Sequence, residues 1–239
     1  MSIIVGCCGF PMRKEEYFKR FSLVELQSTF YQLPRLETAL RWRKEAPASF
    51  VFTLKASQLI THLPSSPTYR RLRKPIPQDR KKAYGFFKNT SELFRAFEET
   101  DAIAKAVEAR LVLFQTPASF IPSEENKENL FQFFKKIGKR NYLIAWEPRG
   151  KWELPEITKI CRELGIIHAT DPFTSLPKDQ EIAYFRLHGR GGYRYRYSDE
   201  ELSQLLDISS QYKEALVLFN NTNMAEDAIR FMEIVDEGT

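Results

Sequence analysis

Eight short runs of β-branched and aromatic residues recur at intervals too long for hairpins, and this spacing constrains the fold more than any other feature of the chain. They read IIVGC from Ile3, SLVELQ from Ser22, FVFTLKA from Phe50, RLVLFQ from Arg110, YLIAWE from Tyr142, IIHATD from Ile166, IAYFRLH from Ile182 and ALVLFN from Ala215. Between most of them the apolar residues fall at helical spacing, over Leu36 to Glu45, Ser91 to Val107, Glu124 to Ile137, Pro155 to Leu164, Ser198 to Leu206 and Ala225 to Val235. Strand and helix alternating in this way within 239 residues predict an α/β protein, a single TIM-type (β/α)8 barrel occupying residues 1–239 as one domain. The sixth βα unit is expected to be irregular, because Pro172 to Glu181 leaves no room for a full helix. No repeat of fixed period and no low-complexity tract interrupts the pattern, and the Pro/Arg/Lys-rich stretch 64–82 lies inside the chain rather than between two halves of different composition.

Charge narrows the partners. With 36 Lys and Arg against 31 Asp and Glu, the net charge of +5 favours anionic molecules, nucleic acid included, without the excess of a histone-like protein. Cys7 and Cys8 are adjacent and Cys161 is far away, so no framework of spaced cysteines exists and a reducing, cytoplasmic setting is expected. The N-terminus lacks a charged region ahead of its short apolar run, and no stretch approaches the ~18 apolar residues of a membrane span, so no membrane partner is expected. Neither a P-loop nor a GxGxxG fingerprint occurs, which argues against nucleotide hydrolysis by that route and against a Rossmann cofactor site.

Alternate side chains of a strand point to opposite faces, so each run can be divided by parity. One parity ends in polar or reactive residues: Cys8, Glu25 with Gln27, Lys55, Gln115, Glu147, Asp171, Arg186 with His188, and Asn220. The other carries Val24, Leu26, Phe52, Leu54, Phe114, Trp146, Phe185, Leu187 and Phe219, suited to packing under helices. The polar set is therefore expected to face inward at the C-terminal mouth of the barrel, where enzymes of this fold place their chemistry.

These motifs carry a resemblance. VELQSTFY from Val24, the Lys55 strand followed by ITH at Ile60, QTPASF from Gln115, WEPR from Trp146, Asp171, YFRLHGR from Tyr184, YRYS from Tyr195 and LFNN from Leu218, in that order along essentially the whole chain, resemble the domain of unknown function 72, or YecE-like, family. The resemblance implies a TIM-type barrel and leaves the reaction open. Cys8 stands where the family usually has serine, Phe10 where it has tryptophan, Gln27 in place of asparagine and Thr116 in place of leucine, while the charged set is intact.

Glu25, Glu147 and Asp171, with His188, form the candidate catalytic set, able to share acid/base work or to hold a divalent cation. Taken singly, each acid reads rather as an ion-pair partner that positions Lys55, Arg149 or Arg186 than as a proton-transfer group. The candidate substrate-binding set is Lys55, His62, Gln115, Arg149, Arg186, Arg190, Tyr197, Asn220 and Asn221. Lys55 reads as an anion clamp kept charged by nearby carboxylates, with a Schiff-base role as the alternative. Cys8 reads as a small core residue rather than an activated thiol. His168, on the outward parity, reads as a packed structural side chain.

After the seventh strand, RLHGRGGYRYRYS (186–198) surrounds a glycine pair with arginines and leads into SDEE, a capping box for the next helix. Gly189 would let backbone approach a ligand closely. A second basic segment, with Arg70, Arg71, Arg73, Lys74, Arg80, Lys81 and Lys82 against Asp79, follows the third strand on the same rim. Three readings follow. The first is a hydrolase or lyase acting on a phosphate-bearing substrate such as a nucleotide or nucleic acid. The second is a nucleic-acid-binding module without turnover. The lesser third is a carbohydrate-processing enzyme using a carboxylate pair.

Overall fold

In the computed structural model, which describes residues 1–238, eight parallel strands close into a barrel in sequence order. The strands are β1 (Ser2–Cys8), β2 (Leu23–Leu26), β3 (Val51–Lys55), β4 (Leu111–Thr116), β5 (Leu143–Pro148), β6 (Ile167–Thr170), β7 (Ile182–Leu187) and β8 (Glu214–Phe219). Helices α1 (Lys14–Arg20), α2 (Leu36–Glu45), α3 (Gln58–Thr61), α4 (Ser91–Ala106), α5 (Glu124–Ile137), α6 (Leu154–Leu164), α7 (Asp199–Ser209) and α8 (Met224–Glu237) lie between and after them. No helix links β6 to β7, as the short Pro172–Glu181 segment requires. Two 3-10 turns, Pro67–Arg71 and Gln78–Ala83, shape the basic segment after α3. Among the described residues no helix is long and apolar enough to cross a membrane.

The division by parity is visible in the core. Val24, Leu26, Phe52, Leu54, Phe114, Trp146, Phe185, Leu187 and Phe219 join one large cluster with the apolar faces of the helices. A second cluster, built from Cys8, Leu23, Leu111, Leu113, Ala145, Ile167, Ala169, Tyr184, Leu216 and Leu218, fills the barrel interior. The interior is therefore apolar over most of its depth, and its charge is confined to the C-terminal ends of the strands, where opposite charges meet one another.

Local chemistry fixes the connections. Ser198 accepts from the Glu201 amide while Glu201 accepts from the Ser198 amide, the reciprocal cap that starts α7. Ser123 and Thr90 cap α5 and α4 in the simpler way. Helix α1 escapes the periodicity reading because its seven residues, KEEYFKR, bury Tyr17 alone. That tyrosine still anchors the first βα unit: its hydroxyl donates to Leu23 O at 2.7 Å and accepts from Cys7 N at 2.8 Å.

Candidate functional site at the barrel mouth

A continuous chain of hydrogen bonds crosses the interior at the C-terminal ends of the strands. Lys55 Nζ, from β3, donates to Gln115 Oε1 of β4 at 2.7 Å. The same amide, through Nε2, donates to Glu147 Oε2 of β5 at 2.9 Å, which fixes the amide's orientation. Glu147 Oε2 also accepts from Arg186 Nη1 of β7. Arg186 then engages Glu25 of β2 with both arms, Nε to Oε2 at 2.9 Å and Nη2 to Oε1 at 2.8 Å. Tyr184, two residues earlier on the same face of β7, donates to Glu25 Oε2 at 2.8 Å, and its oxygen lies 2.8 Å from Thr53 Oγ1. Five strands thus contribute side chains to one network because their polar residues share the inward parity.

The charges settle by proximity. Arg186 and Glu25 are wholly buried and Glu147 is 3% exposed, an arrangement that survives desolvation only because each charge faces its opposite. Burial pushes the Glu147 carboxyl upward, but Arg186, His188 and Arg149 hold it well below the ordinary carboxylate range. Burial likewise works against the Arg186 cation, and Glu147 and Glu25 more than restore it. Lys55 has no carboxylate within salt-bridge distance; its ammonium rests 4.1 Å from the centroid of the Phe30 ring, and its hydrogen-bond partner, Gln115, is neutral. Burial, and next the Arg186 charge, push its pKa down to about 8, against the pull of Glu25 and Glu147.

Further out, the His188 ring is half-buried with Nε2 3.3 Å from Glu147 Oε1 and 3.3 Å from Arg186 Nη1. Arg149, the more exposed cation of the mouth, pairs with Glu147 Oε1 at 2.7 Å and meets His188 Nε2. Asn220 Nδ2 lies 3.0 Å from His188 Nδ1, and Gln27 Nε2 donates to Asn220 Oδ1 at 3.4 Å. Burial lowers the His188 pKa, and Arg186 adds to the fall while Glu147 opposes it, so the ring is neutral at neutral pH. A cavity of about 330 Å³ opens beside these groups, lined by Glu147, Arg149, His168, Thr170, Asp171 and Ser175 among others.

The protein family described as "Protein of unknown function DUF72" matches residues 12–237. The chain belongs to the DUF72 family. Among curated relatives, the UPF0759 protein YunF of Bacillus subtilis is 26% identical over 259 residues, covering 93% of this chain and 86% of its own. Two solved structures share the fold. A DUF72 family protein from Enterococcus faecalis superposes with a TM-score of 0.76 at 19% identity, covering 98% of this chain and 95% of the other. Another from Thermotoga maritima gives 0.70 at 24% identity, covering 99% and 100%.

Several residues singled out in the sequence have their side chains engaged by other groups of the protein. Glu25, read in the sequence either as an acid/base group or as an ion-pair partner, is sealed from solvent and accepts three hydrogen bonds from Arg186 and Tyr184, the arrangement of the ion-pair partner. Asp171 Oδ1 accepts from Phe173 N at 3.1 Å and Oδ2 from His188 N at 3.1 Å, which makes it a tie between the β6 and β7 loops. Asn221 Nδ2 donates to Asp227 Oδ2 and Tyr195 O, which ties it toward α8, while its buried Oδ1 has no partner. The buried Tyr197 hydroxyl accepts from Gly189 N at 2.8 Å, and Arg190 is paired with Glu201 at 2.9 Å. Gly189 has φ +85°, and a Cβ there would lie 2.4 Å from Gly192 O, so the glycine serves its own loop rather than a ligand's approach. His62 is buried against Phe30, with Nδ1 2.8 Å from Thr61 Oγ1, and burial and the Lys55 charge lower its pKa to about 3. His168 is buried and neutral, its pKa lowered to about 4 by burial.

Lys55 is the largest revision. The carboxylates expected to hold it charged belong to Arg186. Cys8 is buried, and burial followed by the Glu25 charge pushes its thiol far up, which removes it as a nucleophile. Among the described residues no three His, Cys, Asp or Glu side chains gather as a metal site. A divalent cation between Glu25 and Glu147 would meet a guanidinium, so these residues do not fit the cation considered from the sequence. Phe30 and Tyr184 were missed; both were open to view, one inside VELQSTFY and the other on the inward parity two residues before Arg186.

Proposed function

We propose that this DUF72 protein is an enzyme of hydrolase or lyase type whose substrate is a small phosphate-bearing anion held in the barrel mouth. The observation that carries the reading is Lys55: a lysine 5% exposed, at the end of a barrel strand, with no carboxylate partner. A buried cation is costly unless something of opposite charge meets it, and an incoming anion supplies that partner. Arg149 adds an exposed guanidinium, whose planar fork matches phosphate oxygens better than an ammonium does. His188, neutral and directed at Glu147, is the side chain best placed to move a proton near such a ligand. Titration calorimetry with inorganic phosphate and ribose 5-phosphate tests the reading. Binding should weaken at least tenfold in Lys55→Met and Arg149→Met, and equal affinities in all three proteins would refute it.

A second reading, nucleic-acid binding without turnover, draws support from the rim. Arg70, Arg71, Arg73, Lys74, Arg80, Lys81 and Lys82 are exposed, and none pairs with an acid; Arg71 lies instead over the Tyr31 ring at 3.5 Å. The other rim loop supports it less, because Arg190 and Arg196 are bound to Glu201 and Glu226. Oligonucleotide titrations over a range of salt separate the two readings, since each neutralised phosphate contributes a slope of about −0.7 to −0.9.

A further inference from the structure

We propose that Lys55 is the covalent nucleophile of this site, forming an imine with an aldehyde or ketone that also carries the phosphate. The inference rests on the reading of the mouth as a small-anion site and goes beyond it by naming the second functional group of the substrate.

Three geometric facts carry it. Lys55 stands at the C-terminal end of β3, where the barrel delivers reactive groups to the mouth. Its amine is held from two sides without a countercharge, by the Phe30 ring face and by Gln115 Oε1. The Gln115 amide cannot turn over without losing its bond to Glu147, so the amine is held in one place by a neutral acceptor. The surrounding titratable and charged groups are Cys8 on β1, Glu25 on β2, His62 after α3, Glu147 on β5 and Arg186 on β7. Cys8 and His62 are neutral, and both carboxylates are engaged by Arg186. A lysine desolvated beside another cation is the environment that yields a free amine. With its pKa lowered to about 8, roughly a tenth of the side chains are unprotonated at pH 7, some two to three hundred times the share of an ordinary lysine.

The step balances within the site. The Nζ lone pair adds to the carbonyl carbon, the C=O π pair moves to oxygen, and an amine proton follows it to give a carbinolamine. Loss of the second amine proton with the hydroxyl then releases water and leaves C=N. No oxidant, reductant or metal is consumed. The phosphate of the same molecule would lie between Arg149 and Lys55, near enough to the amine to be its anionic partner before the imine forms.

Reductive trapping tests this on the intact protein. Dihydroxyacetone phosphate and pyridoxal 5′-phosphate are each incubated with the protein and sodium cyanoborohydride at pH 7.5, and peptides are mapped by mass spectrometry. A stoichiometric adduct on Lys55, formed at least tenfold faster than on exposed lysines such as Lys74 and slowed by inorganic phosphate, is the expected result. Exposed lysines labelled while Lys55 stays unmodified by both probes would overturn the proposal. If calorimetry shows phosphate bound in that same preparation, the imine alone fails and the anion reading stands; if phosphate does not bind, the anion reading has failed.

Discussion

Arg186 and Glu25 meet through two parallel hydrogen bonds, 2.9 and 2.8 Å long, with solvent reaching neither side chain. Glu147 completes the arrangement from the other side of the guanidinium. Removing one partner of such a buried set strands the others without compensation, which typically costs about 3–5 kcal/mol. Arg186→Met should therefore lose stability of this order in urea unfolding. Arg149→Met removes the more exposed partner and leaves Glu147 still paired with Arg186, so it should cost clearly less than Arg186→Met.

Acid should act through Glu147. Its folded pKa lies well below the ordinary glutamate value near 4.3, so the stability it contributes is complete above that value and drains as pH falls through it toward the folded pKa. Glu147→Gln should be the less stable protein at pH 7, and the gap between the two should narrow steadily below about pH 4.5. Urea midpoints at pH 7, 4 and 3 measure this.

Lys55 should act in alkali, with the same sign as Glu147, because its folded pKa is also lowered. Its folded pKa of about 8 lies below that of a lysine in the unfolded chain, so between pH 8 and about 10.4 the unfolded state binds more protons and Lys55's contribution to stability rises with pH. The stability difference between the wild type and Lys55→Met should shift toward the wild type by up to roughly 3 kcal/mol across that window. A flat difference would mean that the amine titrates normally.

The rim loop depends on Gly189. Alanine at φ +85°, with its Cβ pressed toward Gly192 O, forces the 189–197 turn to open and breaks the Gly189–Tyr197 hydrogen bond. Limited proteolysis should then cut within residues 189–197 well before the wild type is cut, while far-ultraviolet circular dichroism stays unchanged.

The barrel was legible because its two periodicities are separate in the sequence: outward residues such as Phe114 and Trp146 are bulky and apolar, and inward ones turn polar only at the strand ends. Membership of the network was legible for the same reason, since Glu25, Lys55, Gln115, Glu147 and Arg186 share one parity. Pairing within it was not. Whether Lys55 or Arg186 takes the carboxylates depends on reach across the barrel, and Arg186 spans from Glu25 to Glu147 while Lys55 reaches Gln115. Residues just beyond the strands were the hardest to place. Asn221 and Tyr197 look like ligand contacts by motif, but are tied toward α8 and into the loop.

The central claim is that the mouth receives a phosphate-like anion at Lys55. Its most direct test is a crystal of the protein soaked in tungstate, a heavy analogue of phosphate, with anomalous difference density measured at the tungsten edge. The account predicts a peak inside the barrel mouth with an oxygen within hydrogen-bond reach of Lys55 Nζ, lost in Lys55→Met crystals. Peaks confined to rim arginines such as Arg73 and Arg194, with the mouth empty at the same tungstate concentration, would contradict it.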